Sequence, residues 1–175
     1  TLTDTSFKLF RNLSRLTALN LQCALENDRS LTLLSALPLQ SLTLRAAVQK
    51  PQYIESLPKT LTSLHFLTSD ELPWRDFFAP LCKLPKLSAL TVLAGKPITI
   101  GDFTLLPQTL ATLHLWILEE CDCAALDELA RVNTLQQLTL RCRHHLRAAV
   151  DAAVPRIQAA LHNFNRKLAV AVITL

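Results

Sequence analysis

Near the end of the chain lie five side chains of the kinds that bind metal ions: Cys121, Cys123, Cys142, His144 and His145. Thiolate and imidazole are good zinc ligands, and a structural zinc site needs a closed set of four. The spacing does not deliver one, because Cys121 and Cys123 form C-x-C rather than the usual C-x-x-C knuckle. A shift of 25 residues sets Glu119 and Glu120 opposite His144 and His145. The plainer reading is an acidic–basic contact between neighbouring loops, with the cysteines as small core residues. No metal ligand is assigned, and no cofactor is expected. The basic run Arg141 to Arg147, RCRHHLR, could touch phosphate. It is short and has no aromatic stacking partners in sequence, so it reads as solvated surface. Isolated Ser, His, Asp and Cys occur, but no spacing orders them into a catalytic set. The chain has only two glycines, and neither G-x-G-x-x-G nor a Walker pattern appears. An enzyme is not expected, nor is a small-molecule substrate.

The elements that hold these residues follow from composition and periodicity. Half of the 175 residues are hydrophobic and 18% are charged, which argues against disorder. Aromatics make up 6%, so an aliphatic core is expected. The net charge of +4 is a mild bias, weaker than a nucleic-acid binder usually carries. Five cysteines is an odd number without a disulfide-framework spacing. Reduced thiols, and with them an intracellular, cytoplasmic setting, are the simpler expectation. No apolar run is long enough to span a bilayer, and no signal-peptide pattern opens the chain. The chain holds no methionine, so it is expected to be a piece of a larger protein.

The pattern L-x-x-L-x-L/F/V recurs six times, with middle leucines at Leu19, Leu42, Leu64, Leu90, Leu113 and Leu138. The steps between them are 23, 22, 26, 23 and 25 residues. Four copies follow a Leu-Pro pair, at Pro38, Pro58, Pro85 and Pro107. The segments LPKTLTSLHF and LPQTLATLHL are nearly the same. On these residues the sequence resembles the leucine-rich-repeat proteins, over roughly residues 7 to 142. The resemblance implies an α/β solenoid, with a curved parallel sheet on the concave side and helices and irregular segments on the convex side. It implies one domain over residues 1–175, of about six repeats and a degenerate helix–strand unit. One repeat cannot bury its leucines alone, whereas stacked repeats share a core. The family's usual Asn or Cys after the last consensus leucine is missing. Ala24, Ala47, Ser69, Gly95, Leu118 and Arg143 stand there, so looser loops bonded by ordered water are expected.

Between the strands, residues 70–83 predict a helix starting near Pro73, with Phe77, Phe78 and Leu81 facing the core. Residues 122–131 predict an amphipathic helix capped by Asp122. Residues 96–105 read as extended, and the N-terminal TSFKLFRNL as a helix. After the sixth repeat a helical stretch contains Pro155, which starts a second helix or kinks the first. Residues 167–175 alternate as a last strand.

The resemblance implies that the open sheet face binds a partner. Counting outward from the consensus leucines places three rows on it. The central row is Asn20, Thr43, His65, Thr91, His114 and Thr139. The row before it is Ala18, Ser41, Ser63, Ala89, Thr112 and Gln137. The row after it is Gln22, Arg45, Leu67, Leu93, Trp116 and Arg141. Leu67, Leu93 and Trp116 then form an apolar strip with Arg45 and Arg141 on its flanks, the composition of a binding hot spot. Gln22, His65 and His114 supply polar contacts at its edge. The two histidines sit two strands apart, about 10 Å, too far to share an ion held by bonds of about 2 Å. The expected function is a non-catalytic protein-interaction module, a scaffold or adaptor without membrane insertion. Two other readings stand beside it. One is a substrate-recognition domain of a larger ubiquitin ligase or effector, and the other is a subunit of a nucleoprotein complex.

Overall fold

Period-two alternation around each L-x-L triplet sends leucines to one face and small or polar residues to the other, which is the signature of a half-buried strand. The computed structural model describes residues 4–10, 12–22, 28–46, 50–68, 73–162 and 168–175. Seven strands form one sheet: β1 (Ala18–Leu21), β2 (Ser41–Ala46), β3 (Ser63–Thr68), β4 (Ala89–Ala94), β5 (Thr112–Ile117), β6 (Gln137–Cys142) and β7 (Ala169–Thr174). All neighbours are parallel, and the spatial order is the chain order. The protein is thus an α/β chain built on a single parallel sheet.

The register is constant across the sheet. Leu19, Leu42, Leu64, Leu90, Leu113, Leu138 and Val170 occupy one row, and Leu21, Leu44, Phe66, Val92, Leu115, Leu140 and Val172 the next but one. From β2 to β6 every member of both rows is buried. A repeated backbone device sets the start of each strand. The carbonyls of Thr17, Gln40, Thr62, Ser88 and Ala111 each accept two N–H groups from the next coil. Threonine hydroxyls add a second tie. Thr60 donates to the Leu39 carbonyl at 2.6 Å, Thr109 to that of Leu87 at 2.6 Å, and Thr134 to that of Leu110 at 2.7 Å.

Helical segments connect the strands and close the other side of the core. They are α1 (Asp4–Phe10), α2 (Pro51–Glu55), α3 (Trp74–Leu81), α4 (Cys123–Asp127) and α5 (Arg147–His162), with 3₁₀ turns at Asp28–Leu34, Asp102–Leu105, Glu128–Arg131 and His144–Leu146. Phe7, Leu31, Leu34, Ile54, Phe103 and Leu129 from these segments join the strand leucines in one hydrophobic cluster. The α3 prediction holds: the helix follows Pro73 and buries Trp74, Phe77, Phe78 and Leu81. The Asp122 cap is present, its carboxylate accepting from the Ala124 N–H at 2.8 Å. Pro155 lies inside one unbroken helix, α5.

Three expectations are corrected. The core is not wholly aliphatic, because Phe66, Trp74, Phe77, Phe78 and Phe103 form a chain of ring contacts 4.8–6.0 Å apart. Residues 96–105 are extended only around Ile98 and then turn into a 3₁₀ segment at Asp102. The loops after β4 and β5 are stitched directly: Ile98 pairs with Cys121 in a parallel bridge of two 2.9 Å bonds. Backbone pairing thus satisfies these loop groups directly, without ordered water. Ala24, Ala47 and Ser69, in the equivalent loops, lie outside the described residues. Among the described residues no helix is long and apolar enough to cross a membrane.

Candidate interaction surface

Strands that pair in constant register convert a sequence column into a physical row. Arg45, Leu67, Leu93, Trp116 and Arg141 occupy successive strands side by side, and Ile173 of β7 extends the row. Leu67, Leu93 and Trp116 are each half-buried, while Ile173 is 40% exposed. Their neighbours on the strands point into the core, so the helical layer does not cover this face. Arg141 does not merely flank the strip. Its guanidinium carbon lies 4.7 Å from the Trp116 ring centroid, a cation–π contact.

The central row runs Asn20, Thr43, His65, Thr91, His114, Thr139 and Ala171. His65 is exposed and His114 half-buried, with Thr91 between them. Partial burial lowers the pKa of His114 below its usual 6.5, and repulsion from His65 and Arg141 lowers it further. At neutral pH its imidazole is therefore uncharged, a donor and acceptor rather than a cation. Gln22 falls outside the pattern. It is exposed, but pairing between β1 and β2 ends at Leu21 and Leu44, so Gln22 does not stand beside Arg45. A strand of four residues is too short to carry the column to its first member.

The seven strands contain no aspartate or glutamate. Ion pairs lie elsewhere: Lys83 with Glu55, Arg143 with Glu119, Arg147 with Asp151 and Arg156 with Asp127. Among the described residues neither Arg45 nor Arg141 has a carboxylate partner.

The cysteine–histidine group disperses. Cys142 is fully buried at the end of β6, and burial pushes its thiol pKa up, with Asp151 adding to the rise and Arg147 opposing it. His144 and His145 are exposed in a 3₁₀ turn. Among the described residues no group of three or more His, Cys, Asp or Glu is placed to hold a metal ion. The expected contact between these loops exists one residue out of register, as Glu119 with Arg143 at 3.8 Å. Beside it, Ile98, Glu120, Cys121, Asp122 and Leu146 line an open cleft of about 400 Å³.

One polar site was invisible in the sequence. Glu128 is 7% exposed, and its carboxylate accepts from the Gly101 N–H at 2.7 Å and the Phe103 N–H at 3.2 Å. Gly101 sits at φ 95°, which a side chain would resist. The carboxylate and the glycine together tie one coil to the next, 27 residues apart. Comparison of the chain with protein-family models and with curated proteins gives no match.

Proposed function

We propose that the chain is a leucine-rich-repeat solenoid that binds a protein partner on its open sheet face and performs no chemistry of its own. Several features support the solenoid reading. The consensus leucines recur every 22 to 26 residues, strand order follows chain order, and the shared-carbonyl device recurs at the same repeat position. Exposure along the central row falls to 9% at Thr91, on the middle strand, as it does at the bottom of a concave surface. The helical segments give the other side of each coil its width.

The observation that carries the binding reading is the strip Leu67, Leu93 and Trp116 on three adjacent strands. Large apolar side chains on an otherwise small, polar face mark contact sites, and Trp and Arg are among the residues enriched at hot spots. An open sheet also lacks the water-excluding pocket that catalysis needs. Affinity purification with wild type, with Leu93→Asp and with Arg75→Glu, at an exposed position of α3, tests the proposal. Partners retained by wild type and Arg75→Glu should be lost from Leu93→Asp. A Leu93→Asp protein that folds and keeps the same partners would remove the surface from consideration.

A further inference from the structure

We infer that the partner presents an extended segment whose apolar centre is bracketed by two carboxylates, one for Arg45 and one for Arg141. This rests on the docking reading above and gives it a ligand chemistry. The charge distribution carries the argument. Of the described strand residues on the open face, only Arg45 and Arg141 carry a fixed charge, and both are positive. No strand contributes a carboxylate, and no described acidic residue pairs with either arginine. Elsewhere four cations, Lys83, Arg143, Arg147 and Arg156, have carboxylate partners. These two guanidinium groups, without a carboxylate partner among the described residues, stand at the ends of the apolar strip, one on β2 and one on β6.

Their separation sets the length of the segment. Four strand spacings of about 4.8 Å make about 19 Å. An extended chain rises about 3.3 Å per residue, so carboxylates about six residues apart reach both guanidinium groups. Residues between them would lie over Leu67, Leu93 and Trp116. Arg141 is held in place by the indole beneath it, so less side-chain freedom is lost when a carboxylate arrives. A nucleic-acid strand fits this face poorly. It carries a phosphate at every nucleotide, and most would face Leu67, Thr91 and Leu93 without a counter-charge.

The test uses fluorescence anisotropy with labelled twelve-residue peptides that share a randomised apolar centre. One set carries glutamates six residues apart, a second glutamines and a third lysines; a twelve-nucleotide oligouridylate is the fourth probe. The glutamate set should bind at least tenfold tighter than the glutamine set in low salt. Arg45→Glu and Arg141→Gln should each remove at least most of that preference. A peptide with lysine at one end should regain binding to Arg45→Glu. Equal binding of glutamate and glutamine sets overturns the inference, as does binding of oligouridylate without peptide, or no peptide binding at all. If both sets bind equally and Leu93→Asp abolishes both, the docking surface stands and only the carboxylate bracket falls. The purification experiment with Leu93→Asp decides the docking reading by itself.

Discussion

A guanidinium 4.7 Å from an indole centroid restrains both groups. The contact contributes about 0.5–1 kcal/mol at a surface, and it holds the Trp116 ring in one orientation before any partner arrives. Trp116→Ala should therefore weaken partner binding by about 2 kcal/mol or more, and Arg141→Ala by less, as read by titration calorimetry. Equal, negligible losses would show that the strip is not where binding energy is made. His114 makes a pH prediction. Its folded pKa lies below 6.5, mainly through desolvation, while the unfolded chain titrates near 6.5. The unfolded state thus takes up the proton first as pH falls, so the folded state loses stability from about pH 6.5 downward. His114→Gln should flatten that part of the stability profile in urea titrations at pH 5 to 7. Which residues stand on the open face was readable from the alternation alone, since side chains of a strand swap faces every residue. The stacking of Arg141 on Trp116 was not, because a rotamer choice leaves no mark on spacing. That Gln22 lies past the end of β1 was not readable either, because the alternation does not say where a strand stops.

At the scale of elements, the coils are joined by polar groups that hydrophobic patterning does not report. Glu128 is spaced on its helical segment like an ordinary surface acid, yet it is buried and bonded to two amides of the preceding coil. Removing it leaves two N–H groups without their acceptor. Glu128→Ala should cost about 1–3 kcal/mol in denaturant unfolding. Thr109→Val keeps the shape but deletes the bond to the Leu87 carbonyl, and should cost about 1 kcal/mol. A Thr109→Val protein as stable as wild type would mean that water replaces the hydroxyl without loss. The helix after Pro73 and the Asp122 cap were legible because proline and aspartate act within one turn of where they stand. The Ile98–Cys121 bridge was not legible, since it joins two loops whose residues follow no repeat pattern. Pro155 left two readings open, and packing of Val150, Ala153 and Ile157 in the core decided for one continuous helix.

At the scale of the molecule, each strand pairs only with its chain neighbours. Cooperativity must then pass from strand to strand, and among the described residues β1 and β7 each pair on one side only. Val170 and Val172 of β7 are only partly buried, while Leu113 and Leu115 of β5 are fully enclosed. Native-state hydrogen exchange should therefore show the slowest amides in β4 and β5 and faster ones in β1 and β7. Uniform protection across all seven strands would indicate one all-or-none unit. The sequential parallel order was legible in the six copies of one leucine pattern, because a recurring pattern of that length admits few other ways to share a core. The aromatic contacts behind β3 and β4 were not, since they join Phe66 to Trp74, Phe77 and Phe78 of α3 and to Phe103, and α3 and Phe103 lie outside the leucine pattern. The shared carbonyls at the strand starts have an evolutionary consequence. Each is a joint of identical make, so copying or deleting one whole coil leaves the remaining joints intact. Such a chain can be lengthened or shortened by unequal crossing-over, widening or narrowing its sheet by about 4.8 Å at a time.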